Sequence, residues 1–383
     1  MPTRSDAPTV LISCGEPSGD LYAGALTSAL RALNPGVRVV GFGGECLRAA
    51  GAELVGDYHG LTVTGLVEAI RVLPRSWAMY RRLVRTARDE RPDALVAIDF
   101  PDFNFRLAAA IRDLGIPIVY YIPPQLWAWR SGRMKTLRRI ADRILVIFPF
   151  EPEIYRKAGT PATFVGHPLV DLARATTDRR AFLEAHHLLP DAPVVALLPG
   201  SRPNEVREIL GTLVESLPLI AARVPHAQFV LARAPGLPND LFSTLSASAW
   251  PVAVVEAGTD DVLAASDVAI TASGTATVQA AIHECPMVVV YRVAPLSYAI
   301  GRRLVHVDTF AMVNLVAGER VAPELIQDGF TAEAVAAETV RLLTDRALRE
   351  RTVASLREVK ERLGGSGATR RAAEIVLETA RRR

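Results

Sequence analysis

An apolar run, Val194-Val195-Ala196-Leu197-Leu198, breaks at Pro199-Gly200, passes through Ser201-Arg202 and enters a helical pattern at Pro203. The order reads as strand, tight turn and helix N-terminus. Such an N-terminus carries unpaired N–H groups and partial positive charge, and so suits an anion. Arg202 adds a fork-shaped cation, and the combination suits a phosphate or diphosphate. Ala269-Ile270-Thr271-Ala272-Ser273-Gly274-Thr275 repeats the pattern. There Ser273, Gly274 and Thr275 either offer donors to a second phosphate or simply cap the helix that follows.

Acidic chemistry lies in the first half. Ser13-Cys14-Gly15-Glu16-Pro17-Ser18-Gly19-Asp20 sits between a strand and a helix, the usual place of a ligand loop. Glu16 and Asp20 argue against a pyrophosphate there and for sugar hydroxyls. The alternative is a plain turn with Ser18 or Asp20 as a cap. Asp99 ends the apolar strand before Phe100-Pro101-Asp102-Phe103-Asn104. Apolar neighbours would raise its pKa and suit it as a general base. Asp99 and Asp102 could instead share Mg²⁺, with no further ligand cluster in support, or be turn acids. Trp127 and Trp129, after Pro123-Pro124, either stack on a sugar ring or pack a core, and Arg130, Arg133, Lys135, Arg138 and Arg139 follow. Over Gly60–Arg88, Leu66, Ile70, Leu73 and Trp77 alternate with arginines. That fits either a membrane-surface helix or an ordinary amphipathic one, with Pro74 expected to break or kink it into two short pieces.

The elements that must position these residues alternate. Strands are expected at Thr9–Ser13, Val37–Gly41, Ala94–Ile98, Ile116–Ile122 and Ile144–Phe148, with helices such as Leu21–Leu33 and Phe105–Leu114 between them. The pattern restarts with Val194–Leu198, Gln228–Ala232, Val252–Val255, Val268–Ile270 and Met287–Tyr291. This is the signature of two doubly wound parallel sheets with a cleft between them, linked through Gly166–Thr176. Val39-Val40-Gly41-Phe42-Gly43-Gly44 lies on the second strand and lacks the third glycine, which discounts NAD.

Composition narrows the classes. The 383 residues suffice for two or three domains. Half are hydrophobic, yet no apolar run approaches a membrane span and the polar N-terminus shows no signal-peptide core, so a cytoplasmic protein is expected. Three scattered cysteines suggest neither a disulfide framework nor a metal knuckle. A net charge of +3 gives no argument for nucleic acid.

Taken in order, several motifs resemble the lipid-A-disaccharide synthase family. They are Gly15-Glu16-Pro17-Ser18-Gly19-Asp20, Ile98-Asp99-Phe100-Pro101-Asp102-Phe103-Asn104, Trp127-Ala128-Trp129-Arg130, Phe148-Pro149-Phe150-Glu151 and Phe164-Val165-Gly166-His167. Leu197-Leu198-Pro199-Gly200-Ser201-Arg202, Ala272-Ser273-Gly274-Thr275-Ala276, Cys285-Pro286-Met287-Val288-Val289 and Asn314-Leu315-Val316-Ala317-Gly318 continue the set. The resemblance implies a GT-B fold of two Rossmann-like domains with an interdomain cleft. It implies an inverting glycosyltransferase that joins UDP-2,3-diacylglucosamine to 2,3-diacylglucosamine 1-phosphate, forming a β-1′,6 disaccharide and UDP without metal or cofactor. It also implies a peripheral protein on the cytoplasmic face of the inner membrane, and homodimers with exchanged C-terminal segments.

By the same resemblance Asp99 is the candidate base, and Arg202 with the turns at Gly200-Ser201 and Ser273-Gly274-Thr275 stabilises departing UDP. Asn314 and position 279 belong to the donor site, and Glu16 lies near substrate hydroxyls. Ser18, Asp20, Trp127, Trp129, Leu66, Ile70 and Leu73 serve acceptor, lipid or membrane. The expected division is 1–170 for acceptor and membrane, 171–350 for the donor, and 351–383 packing back or exchanged. This chain has Gln279 where the family usually has Glu, and Val313 where it has Pro; Pro17 and Pro123-Pro124-Gln125 also differ. The competing readings are another GT-B enzyme, either a different lipid glycosyltransferase or a UDP-sugar epimerase, and a non-catalytic UDP-sugar or lipid binder.

Overall fold

The structure is a computed structural model that describes residues 7–58, 66–126, 131–246, 248–293 and 309–381, with backbone only at 66–71 and 131. The chain forms two compact units, Met1–Pro168 with Leu363–Arg383, and Leu169–Arg362. The C-terminal stretch expected to act as one piece is thus divided: 351–362 stay with the second unit and the chain joins the first from Leu363.

The first unit holds β1 (Thr9–Ser13), β2 (Arg38–Gly43), β3 (Glu53–Asp57), β4 (Ala94–Ile98), β5 (Ile118–Tyr121), β6 (Arg143–Val146) and β7 (Thr163–Phe164). Among the described residues they form one sheet in the order β3-β2-β1-β4-β5-β6-β7. Every pairing in it is parallel. The second unit holds β8 (Val194–Leu198), β9 (Gln228–Arg233), β10 (Val252–Glu256), β11 (Val268–Ala272), β12 (Met287–Tyr291) and β13 (Glu324–Ile326). Their order is β10-β9-β8-β11-β12-β13, again parallel throughout. Both sheets therefore reverse direction of growth beside their first strand, between β1 and β4 and between β8 and β11. In a doubly wound sheet ligands bind outside the carboxyl ends of the strands at that point.

The central strands are apolar along their whole length because helices cover both faces. β4, β8 and β11 are buried at every residue. β3, β7 and β13, which the sequence pattern did not single out, are short strands at sheet edges with half-buried or exposed residues. Edge strands bury one side only and leave no continuous apolar run.

Helices α1 (Pro17–Leu33), α2 (Glu45–Ala49), α3 (Leu66–Glu90) and α4 (Pro101–Arg112) follow β1, β2, β3 and β4. α3 corrects the expected break, since it runs unbroken through Pro74. Pro74 and its neighbours Leu73 and Arg75 are exposed. Water can then serve the one carbonyl that loses its N–H partner, so the proline costs a bond and not the helix. Val72, Met79, Leu83 and Ala87 hold the other face of α3 to the core.

The chain returns to the first unit at Leu363, whose carbonyl accepts from the His167 N–H at 2.8 Å. Arg371, on the helix Ala368–Arg381, donates to the carbonyls of Val165 at 2.8 Å, Ser366 at 2.8 Å and Gly364 at 3.1 Å.

Candidate functional site

Four turns occupy the two switch points, one after each of β1, β4, β8 and β11. They carry Glu16, Asp99, Arg202 and Gly274 respectively.

In the first unit the β1 and β4 turns are packed together. A Cβ on Gly15 would lie 2.3 Å from the Phe100 ring, so only glycine lets the first loop close on the second. Glu16 is the residue before α1 and is half-buried, as is Ser18 in the first helical turn. Asp20 turns its carboxylate into the fold. It is buried, and its carboxylate accepts the N–H groups of Gly44 at 2.7 Å, Cys46 at 2.8 Å and Leu47 at 3.1 Å. It caps α2 from α1, a use of acceptors that a helix N-terminus demands.

Asp99 is half-buried at the end of β4, with φ 44, and Phe100 follows with φ 48. Two successive non-glycine residues in the left-handed region are uncommon, and such strain gathers at functional sites. Asp102 belongs to a different pairing. It meets Arg133 at 2.6 Å on the surface, and Phe100, not Asp102, takes the N-cap position of α4. Among the described residues no group of three or more His, Cys, Asp or Glu side chains is placed to hold a metal.

Two residues that periodicity did not mark, Tyr22 and Tyr120, neighbour Asp99, and His167 packs on the first of them. Tyr22 is raised above the ordinary phenol value by burial and then by the Asp99 charge, so the two are electrostatic neighbours. Tyr120 is raised in the same way, and its hydroxyl donates to the Asp99 carbonyl at 3.0 Å. His167 sets its ring edge-on to Tyr22, with centroids 6.2 Å apart. Burial lowers His167 to about 3, so it is neutral at working pH. They come from a helix, a strand and a loop, so no local pattern signals the grouping.

In the second unit Gly200 has φ +118, a value suited to glycine. Arg202 precedes the helix Pro203–Ala221, but the first N–H groups there are already in use. Glu205 accepts from the N–H of Ser201 at 3.1 Å and of Arg202 at 3.3 Å, and pairs with the Arg202 guanidinium at 3.3 Å. The turn thus holds an internal carboxylate where the sequence suggests an anion. Tyr291, at the end of β12, is raised by burial and by Glu205, with Arg202 opposing, which places it beside the same turn.

The β11 turn is more open. Gly274 and Thr275 are exposed and Ser273 half-buried, its hydroxyl donating to the Phe310 carbonyl at 3.4 Å. The Gly274 carbonyl is held by the Thr277 hydroxyl at 2.7 Å. Four residues on from Thr275, along the helix Thr275–Ile282, the Gln279 amide donates to Asp260 at 3.2 Å. The His283 ring shares that carboxylate at 2.9 Å.

Asn314 turns its amide into the unit. It is buried, donates to the Ala322 carbonyl and to Glu324, each at 2.8 Å, and accepts from the N–H groups of Val321 and Ala322, each at 2.9 Å. An amide offers two hydrogens and one twofold acceptor, so its capacity is spent inside the unit. Trp127 and Trp129 lie outside the described residues, as do the side chains of Leu66 and Ile70. Leu73 and Trp77 are 56% and 54% exposed, one helical turn apart on α3.

Comparison with known proteins agrees with this layout. A family model described as lipid-A-disaccharide synthetase matches residues 10–378. The chain is 43% identical to the lipid-A-disaccharide synthase of Geobacter sulfurreducens, over 98% of each chain. It is 44% identical to that of Koribacter versatilis, covering 98% of this chain and 99% of the relative. Among solved structures, UDP-GlcNAc 2-epimerase from Neisseria meningitidis bound to UDP-GlcNAc superposes with TM-score 0.65 at 13% identity, covering 98% of this chain and 100% of that one. The glycotransferase of kitacinnamycin does so with TM-score 0.61 at 19% identity, over 98% and 100%. Those likenesses show the GT-B fold, and the matches along the full sequence show more: the chain belongs to the lipid-A-disaccharide synthase family of glycosyltransferases.

Proposed function

We propose that the chain joins UDP-2,3-diacylglucosamine to 2,3-diacylglucosamine 1-phosphate in one inverting displacement. Asp99 takes the proton of the acceptor 6-hydroxyl as its oxygen attacks the donor anomeric carbon. The bond to UDP breaks on the opposite face and the β-1′,6 linkage forms. Arg202 and the N–H groups of the turns at Gly200-Ser201 and Ser273-Gly274-Thr275 stabilise the charge leaving on UDP. Gln279 accepts from the nucleotide ribose through its carbonyl, and Glu16 and Ser18 meet substrate hydroxyls. The observation that carries the reading is that the four turns lie at the carboxyl ends of the switch-point strands, an acid in the first unit and a cation in the second.

Leu73 and Trp77, with Arg75, Arg81, Arg82 and Arg85 nearby on α3, suit the cytoplasmic face of an anionic membrane. No described helix is long and apolar enough to cross a bilayer. The segment Leu363–Arg383 is the piece two copies would exchange in a homodimer.

The test is turnover of the two lipid substrates in detergent containing EDTA, read by mass spectrometry, for the wild type and Asp99→Asn. The wild type yields the disaccharide. Asp99→Asn loses on the order of 10²–10⁴-fold in kcat, while its UDP affinity is kept. Absence of product from the wild type, or an active Asp99→Asn, would overturn the reading.

A further inference from the structure

We propose that Asn104, with Tyr120 and Ser13, forms a buried clamp that positions Asp99. The inference rests on Asp99 as the base, and it names the groups that set its backbone. Asn104 is completely buried on α4. Its carbonyl oxygen accepts the Ser13 hydroxyl at 2.7 Å, and the three backbone carbonyls on its other side, which can only accept, define the amide's orientation. The amide nitrogen then faces the carbonyls of Ser13 at 3.2 Å, Ile98 at 3.1 Å and Asp99 at 2.9 Å. From the opposite strand the Tyr120 hydroxyl reaches the same Asp99 carbonyl at 3.0 Å. The Asp99 N–H donates to the Ile122 carbonyl at 3.2 Å. Ile122 itself has φ 56, rare for a β-branched residue.

Both polar groups of the Asp99 backbone are therefore tied, one to the end of β5 and one to two buried side chains. The left-handed pair Asp99-Phe100 persists because those bonds over-determine it. Ser13 and Asn104 stand 91 positions apart, so the clamp also ties the β1 turn to the β4 turn. A base must stay within hydrogen-bond reach of the hydroxyl it deprotonates, and small misplacement is costly. Asn104 and Tyr120 are positioning residues, since neither needs to touch substrate for this.

The experiment measures kcat, KM for both substrates, UDP affinity and thermal unfolding of full-length Tyr120→Phe, Ser13→Ala and Asn104→Ala, with Asp99→Asn as comparator. Tyr120→Phe is expected to lose about 10-fold in kcat and Asn104→Ala about 100-fold, with KM and UDP affinity within about twofold of wild type. Ser13→Ala removes the donor to the amide oxygen and loosens the clamp, and its loss falls between them. Should Asn104→Ala not fold, the other two variants decide the matter. Unchanged kcat in folded Tyr120→Phe and Ser13→Ala, beside an inactive Asp99→Asn, would overturn the clamp and leave the base standing. A kcat loss matched by equal losses in KM and UDP affinity would also overturn it, as general distortion. An active Asp99→Asn would instead remove the base on which the inference rests.

Discussion

Glu205 and His167 show how single side chains set the terms for function and stability. The Glu205 carboxylate holds two N–H groups and the Arg202 guanidinium at the β8 turn. An incoming diphosphate has to compete with that negative charge for the same donors. Glu205→Gln keeps an acceptor and removes the charge, so UDP affinity measured by calorimetry at low salt should tighten about 3- to 10-fold, an estimate from loss of one close charge. Weaker or unchanged binding would show that Glu205 is not the competitor.

His167 acts through proton linkage. Its folded-state value of about 3 lies below the ordinary 6.5, so the unfolded chain takes up the proton first. The stability is complete above about pH 6.5 and is lost as pH falls, by about 1.4 kcal/mol per pH unit between roughly pH 6 and pH 3. Urea unfolding between pH 6.5 and 4.5 should therefore show a steep loss in the wild type and a shallower one in His167→Phe. Equal slopes would assign the acid sensitivity elsewhere.

At the scale of elements, α3 has two faces with different duties. Val72, Met79, Leu83 and Ala87 hold it to the core, while Leu73 and Trp77 are left to solvent with arginines around them. Changing Leu73 and Trp77 together to Ser removes no buried residue and gives up only the stacking of Trp77 on Tyr80. Co-sedimentation with anionic vesicles should fall several-fold, with the melting temperature little changed, because apolar burial and charge attraction both drive surface binding. Retained vesicle binding would reduce this face to chance exposure. The unbroken helix through Pro74 belongs to the same argument, since a continuous rod keeps both residues on one side.

At the scale of the whole molecule, the two units repeat one plan, a parallel sheet that switches direction beside its first strand. The first unit is closed by a segment that arrives from the far end of the chain. Arg371 makes three bonds to backbone carbonyls there, so Arg371→Ala should destabilise that unit by about 1–3 kcal/mol. Scanning calorimetry should show the loss, and UDP affinity should be unaffected if the nucleotide is held by the second unit. A loss of UDP affinity in that variant would assign part of the nucleotide site to the first unit.

The sequence determined the layered plan on its own. Buried central strands are mostly apolar, and each ends near a residue that breaks the pattern, so Thr9–Ser13, Ala94–Ile98, Val194–Leu198 and Met287–Tyr291 were legible to the residue. The turns bearing Glu16, Asp99, Arg202 and Gly274 were legible with them, because a turn after a buried strand is where polar residues and glycine must gather. The short edge strands β3, β7 and β13 and the unbroken course of the proline-bearing helix were not, since half-burial and solvent-served carbonyls leave little mark on periodicity. Only the tertiary structure decided which polar groups are spent inside the fold. Nothing local to Asp20 or Asn314 shows that their side chains are held by backbone donors and acceptors elsewhere in the fold. Asn104 clamps a strand end 91 positions from its Ser13 partner. Hydrophobic burial follows local pattern, whereas a hydrogen bond is satisfied by whatever group the fold brings within 3 Å, a distance criterion that no local pattern carries.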